Sequence, residues 1–233
     1  MKRKHTTFYC FSPPVVLATF VIEIALAVWV LWRYKHTLLV KLTAIMLVCL
    51  AFFQLAEYNI CEEIFGLSGL TWARMGYVAI SALPALGIHI LTLIAGKKVP
   101  WLVSVSYAAM VVFMAYFLLS TNGLSAYTCG GNYVIFKTSN LATSWYTLYY
   151  YGFVGLTTIS AWLLAKKTTQ PQTRSALYGM TAAYLMLIVP VATVNIINPA
   201  LIHGVPSIMC GFAVFLALTI TLYVLPRTAH KRG

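Results

Sequence analysis

Aspartate is missing from this chain, and four glutamates make up the whole acidic complement of its 233 residues. Charged residues account for only 9% of the sequence and hydrophobic ones for 61%. A soluble domain is roughly one quarter charged, because ionisable side chains must cover its surface. This chain has too few to do so, and the solvent that suits it is lipid. Catalytic signatures are also missing: no HExxH, no paired-histidine cluster, no nucleophile elbow and no phosphate loop occur. The chain is therefore expected not to be an enzyme and to carry no catalytic residue, metal site or cofactor. The last apolar run, residues 207–225, holds no lysine, which excludes a retinal protein built on a Schiff base in that span.

What is present is a series of seven apolar runs bounded by polar or turn residues, near 14–33, 40–60, 72–95, 101–120, 144–165, 175–197 and 206–225. Each is long enough to cross about 30 Å of hydrocarbon as a helix, which satisfies its own backbone hydrogen bonds there. The runs lack the alternation of membrane strands. The expected fold is one all-α domain over 1–233, a seven-transmembrane helix bundle in the cell membrane with the lipid bilayer as its first partner. The basic start, Lys2 to Lys4, precedes an apolar run of about 20 residues with no small-x-small cleavage site, so an uncleaved first span is expected. Pro14, Pro100 and Pro206 stand at span starts, where a missing N–H costs nothing. Pro84 and Pro190 fall inside spans three and six, where proline kinks a helix.

The net charge of +12 would raise nucleic acid as a partner in a soluble protein. Here the basic residues form short clusters between apolar runs, where they meet anionic headgroups and set orientation, so no nucleic acid is expected. Of the 16 Lys and Arg, 11 fall on the side holding loops 1–2, 3–4, 5–6 and the carboxyl tail, and 5 on the other. That asymmetry predicts an outside amino terminus and a cytoplasmic carboxyl terminus, with Lys2, Arg3 and Lys4 arguing the other way.

The polar residues inside the spans are few enough to take singly. Gln54, Glu57, Tyr58 and Cys61 recur at intervals of three and four and share one helix face. A polar face in a membrane turns inward, and Arg74 is the nearest candidate counter-ion for Glu57. Either a structural clamp between helices or a ligand-facing role fits that pair. Glu23, near the middle of span one, must face the bundle, stay protonated or pair. His89 has no metal-ligand partner three or four positions away and reads as a hydrogen-bonded core residue. Trp145, Tyr146, Tyr149, Tyr150 and Tyr151 open span five. An interfacial aromatic belt accounts for them, although Tyr146, Tyr149 and Tyr150 share a face that can line an outer cavity. Asn195 ends span six on the same side, where a buried amide bonds across helices. Cys61 and Cys129 fall in outer loops, in an oxidising compartment, and are either bridged or two free thiols. Loop 4–5, residues 121–143, is the longest connection and is expected to form an ordered or semi-ordered cap.

From span two into span three the residues Gln54-Leu55-Ala56-Glu57-Tyr58, Trp72 to Ile80 and Pro84 resemble the seven-transmembrane amino-terminal region of bacterial and archaeal sensor histidine kinases. An aromatic-rich start to span five, Pro190 and Asn195 in span six, and Pro206 leading span seven are similar to later features of that family. The resemblance covers residues 15–225. It implies a sensor-like bundle with Glu57, Arg74 and Pro84 at family positions. Only Pro226 to Gly233 follow the last span here, so no kinase is expected within these residues, and output is expected to pass through a separate signalling protein or a homo-oligomer. The expected function is a receptor-like module binding an unidentified small molecule in its outer half, at Gln54, Glu57, Arg74, Tyr146, Tyr149, Tyr150 and Asn195. A small transporter or lipid-handling protein would need a polar path through both leaflets that includes Glu23 and His89. A structural or assembly subunit would use small residues such as Gly152, Gly155, Gly179 and Ala183 for close helix contacts.

Overall fold

The computed structural model describes residues 13–62, 66–120, 123–129, 134–137, 140–197 and 205–229. Helices α1 (Pro13–Arg33), α2 (Leu38–Glu62), α3 (Gly69–Ile94) and α4 (Pro100–Leu119) come first. A hairpin of strands β1 (Ala126–Cys129) and β2 (Val134–Lys137) follows. Helices α5 (Asn140–Lys167), α6 (Pro171–Ile197) and α7 (Val205–Leu218) complete the bundle, and α7 runs on through a π-helical turn (Thr219–Val224) into a last turn, α8 (Leu225–Thr228). Among the described residues, seven helices are long and apolar enough to cross a membrane.

Local chemistry sets the helix ends. Ser68 caps α3 by accepting the Thr71 N–H at 3.2 Å. Gly96, at φ +61°, turns the chain out of α3, and the Lys97 N–H returns to the Thr92 carbonyl at 3.0 Å. Only glycine takes that left-handed position without strain. Pro100 and Pro171 open α4 and α6, where their fixed φ suits the first turn. Helices α5 and α6 each begin four residues before the predicted runs at 144 and 175, because polar flanks such as Asn140 and Arg174 continue a helix that hydropathy alone truncates.

Helix α3 is the centre of the bundle and packs against α2, α4, α5 and α6. Every residue from Ser81 to Ile88 is buried. Lipid is as apolar as leucine, so helices associate there by close packing, and glycines provide it. A Cβ on Gly76 would stand 3.1 Å from the Phe53 ring and 3.2 Å from Ala56, so α2 and α3 meet nearly backbone to side chain. Gly179 lies under Tyr223, with a built Cβ 2.5 Å from its ring. The Tyr223 hydroxyl is 2.9 Å from the Ser175 hydroxyl, and the Arg227 guanidinium lies 3.6 Å above the same ring. These contacts pin α6 to the π turn. Ala183 is buried as well, but nothing lies within 4 Å of a Cβ on Gly152 or Gly155, so those two glycines make no close contact among the described residues.

Loop 121–143 holds a structure not anticipated. β1 and β2 pair antiparallel, from Ala126 opposite Lys137 to Cys129 opposite Val134. The all-α expectation holds for the spans and not for this connection. Val134 and Phe136 alternate inward and are buried with Leu124, so the hairpin docks on the bundle.

Candidate functional site

The hairpin covers a cluster drawn from α2, α3, α4 and α5. Gln54 and Glu57 are buried near the end of α2. Tyr77, one helical turn before Ser81 on α3, lies near Glu57. The Tyr77 ring meets Phe117 of α4 at 4.6 Å, Phe136 of β2 at 5.1 Å edge-on and Tyr146 of α5 at 5.7 Å. Each such pair contributes roughly 0.5–1.5 kcal/mol beyond area burial.

Hydrogen bonds link this cluster to the middle of α3. The Ser81 hydroxyl donates to the Tyr77 carbonyl at 2.7 Å and contacts the Tyr146 hydroxyl at 3.2 Å. The Tyr149 hydroxyl donates to the Ser81 carbonyl at 2.6 Å. Three residues on, Pro84 lies inside α3 and offers no N–H to the Ile80 carbonyl. Tyr149 thus attaches α5 to α3 where its backbone ladder is interrupted. Pro190 lies inside α6 in the same way.

The structure brings Gln54, Glu57, Tyr146, Tyr149 and Tyr150 to the same half of the bundle, all buried. Trp145 is 59% exposed, as a belt residue should be, whereas Tyr146, Tyr149 and Tyr150 turn inward. Arg74 is half-buried with its Nε lacking a hydrogen-bond partner. Tyr77 lies near Glu57, and an ion pair between Glu57 and Arg74 is not among the contacts seen in the described residues. The Asn195 side chain lies outside the described residues, as do those of Cys61, Glu62, Glu63 and His203. Cys129 is held in a disulfide.

Tyr77, Ser81, Phe113 and Phe117 belong to this cluster and were not singled out from the sequence. Tyr77 follows Gln54 and Glu57 in the same stretch, and Ser81 stands one turn before the interior proline. That spacing was the available signal.

His89 is satisfied outside the cluster: its Nδ1 is 3.2 Å from the Tyr107 hydroxyl of α4. Glu23 lies on α1, which packs chiefly against α2 and α7. The two residues therefore stand on helices with different neighbours, α1 beside α2 and α7, and α3 with His89 facing α4.

No protein-family model matches the chain, and no curated protein matches it.

Proposed function

We propose that this protein is a receptor-like sensor of the cell membrane that receives a small molecule beneath the β-hairpin and passes the event to a separate signalling protein or to a second copy of itself. The observation that carries this reading is the convergence of Glu57, Tyr77, Ser81, Tyr146 and Tyr149 from three helices in one half of a membrane bundle. Polar groups are expensive at that depth and are kept there for function. The Tyr149–Ser81 bond gives the cluster a route to the interrupted turn at Pro84, so repacking under the hairpin would alter the bend of α3. The resemblance to seven-transmembrane sensor regions supports the same reading, with Arg74 supplying a donor at the rim.

The half that carries the hairpin faces outward. Lys and Arg crowd the opposite end, as the positive-inside rule requires of the cytoplasmic face. The Cys129 disulfide fits an oxidising exterior. A Cβ built on Gly69 would collide with the Tyr127 hydroxyl, so the Tyr127 side chain reaches from β1 to the start of α3.

Mass spectrometry of small molecules retained by protein purified in its native lipids tests the function. A compound held by wild type and lost in Glu57→Ala, with thermal stability unchanged, is the expected result. Retention of the same compounds by both proteins sinks the proposal.

A further inference from the structure

Glu23 is the eleventh of the 21 residues of α1, about 15 Å along the axis from either end and therefore near the middle of the hydrocarbon. It is 0% exposed, and neither carboxyl oxygen has a hydrogen-bond partner. Thr19, Glu23, Ala27 and Val30 form the one buried stripe of a helix whose Val21, Ile22, Val28 and Leu31 face outward. That stripe meets α2 and α7.

Among the described residues, the packed elements do not supply a counter-ion. On α2 the ionisable groups are Lys41, exposed at the basic end, then Cys49, Glu57 and Tyr58, with the side chains of Cys61 and Glu62 outside the described residues. On α7 there is Cys210, whose side chain is also outside them, and beyond it Tyr223, which is engaged with Ser175. Arg33, on α1 itself, is exposed at the far end. The Thr19 hydroxyl donates to the Val16 carbonyl. An ionised carboxylate here would face apolar surroundings with neither cation nor hydrogen-bond donor, which costs far more than retaining a proton.

We propose that Glu23 is a proton-binding site in the middle of the membrane, its carboxyl held as the neutral acid and closed off from water by the packing of α1 on its neighbours. This stands apart from the small-molecule reading and survives its failure.

A hydrophobic carbodiimide dissolves in the hydrocarbon at that depth and reacts with such an acid when α1 breathes away from the seam. The carboxyl proton moves to one reagent nitrogen, the carboxyl oxygen bonds to the central carbon, and one C=N π bond is lost. Nothing leaves, and the O-acylisourea rearranges to an N-acylurea of the same mass. The probes are dicyclohexylcarbodiimide and a water-soluble carbodiimide, applied to the full chain in lipid vesicles and read by peptide mass spectrometry, which separates Glu23 from Glu57. At neutral pH the hydrophobic reagent should label Glu23 on the order of tenfold faster than the water-soluble one, as a site sealed from water requires. Labelling should fall by about tenfold per pH unit once the acid ionises.

Infrared difference spectra of wild type against Glu23→Gln supply a second measurement. They should show the carbonyl stretch of a protonated acid, unchanged by sodium. Equal labelling by both reagents, an unlabelled Glu23 in folded protein, or a carboxylate band that grows with sodium overturns the proposal. If Glu23→Gln does not fold, labelling of the wild-type chain decides alone.

Discussion

The contact between Gly87 and Tyr184 permits a worked test of how α3 and α6 are held. A methyl group built on Gly87 collides with the Tyr184 hydroxyl and comes within 3.2 Å of its Cζ, while Thr157 Cγ2 lies at an ordinary 3.8 Å. Tyr184 is buried, and its hydroxyl has no hydrogen-bond partner, so the ring has little room to retreat. Overpacking a tight core costs about 1–3 kcal/mol. Replacing a helical glycine by alanine returns roughly 0.5–1 kcal/mol. Gly87→Ala should therefore lose about 1 kcal/mol net. Tyr184→Phe removes a buried hydroxyl that bonds nothing, a group whose burial costs about 1–3 kcal/mol, so it should be neutral or stabilising. In the double variant the hydroxyl clash is gone and the helix-propensity gain remains. Its stability should exceed the sum of the single effects by about 1–2 kcal/mol. Equilibrium unfolding in mixed detergent micelles measures all four corners of the cycle. If Gly87→Ala alone is as stable as wild type, or the pair adds to within about 0.3 kcal/mol, the contact does not hold the helices as argued.

Tyr149→Phe deletes the donor to the Ser81 carbonyl and should cost about 0.5–1.5 kcal/mol in the same micelles, with faster amide hydrogen exchange between Ser81 and Pro84. Cys129→Ser should lower stability by about 2–4 kcal/mol and expose the segment from β1 to β2 to protease, and a non-reducing peptide map of wild type should join Cys129 to Cys61. Tyr34, in the α1–α2 connection, has its hydroxyl pushed above the usual tyrosine range by burial, against an opposing pull from Arg33. The unfolded chain therefore loses this proton at lower pH than the folded one. The stabilisation is fully present below the ordinary tyrosine value near 10 and is lost as pH rises towards the folded value. Tyr34→Phe should flatten the alkaline decline in melting temperature, and an unchanged decline would show that other groups cause it.

The spans were legible because their signal is long and redundant: twenty apolar residues without charge admit few other structures. The hairpin was harder to read. Gly130-Gly131 between Tyr127-Thr128 and Val134-Ile135-Phe136 is a short β-hairpin pattern, masked by its place in a connection between membrane helices. The spacing of Tyr146, Tyr149 and Tyr150 showed that they share a face, but an interfacial belt accounted for them as well, and both their burial and their partners required tertiary information. No helical period places Tyr77 beside Glu57, because the two stand on different helices. Their approach depends on how closely α2 and α3 meet, and Gly76 lets Phe53 and Ala56 come near.

Glu23 and Glu57 show how far residue type alone falls short of function. Both are buried carboxyls on membrane helices, and both stand out in a chain with four acids. Glu57 sits at the end of α2 beside a phenol, within a cluster that ends at a proline-interrupted turn. A change in its charge or contacts is felt by side chains that lead into α3. Glu23 sits halfway along α1 with no hydrogen bond at all, so a change in its charge has no comparable network to act on and falls on the α1–α2–α7 seam itself. Neutralising Glu57 should therefore alter the hairpin-covered cluster while leaving that seam intact. Charging Glu23 should loosen α1 from the bundle and spare the cluster. Cysteine crosslinking across each region distinguishes the two, and loss of both crosslinks from either change would show that the bundle responds as one body.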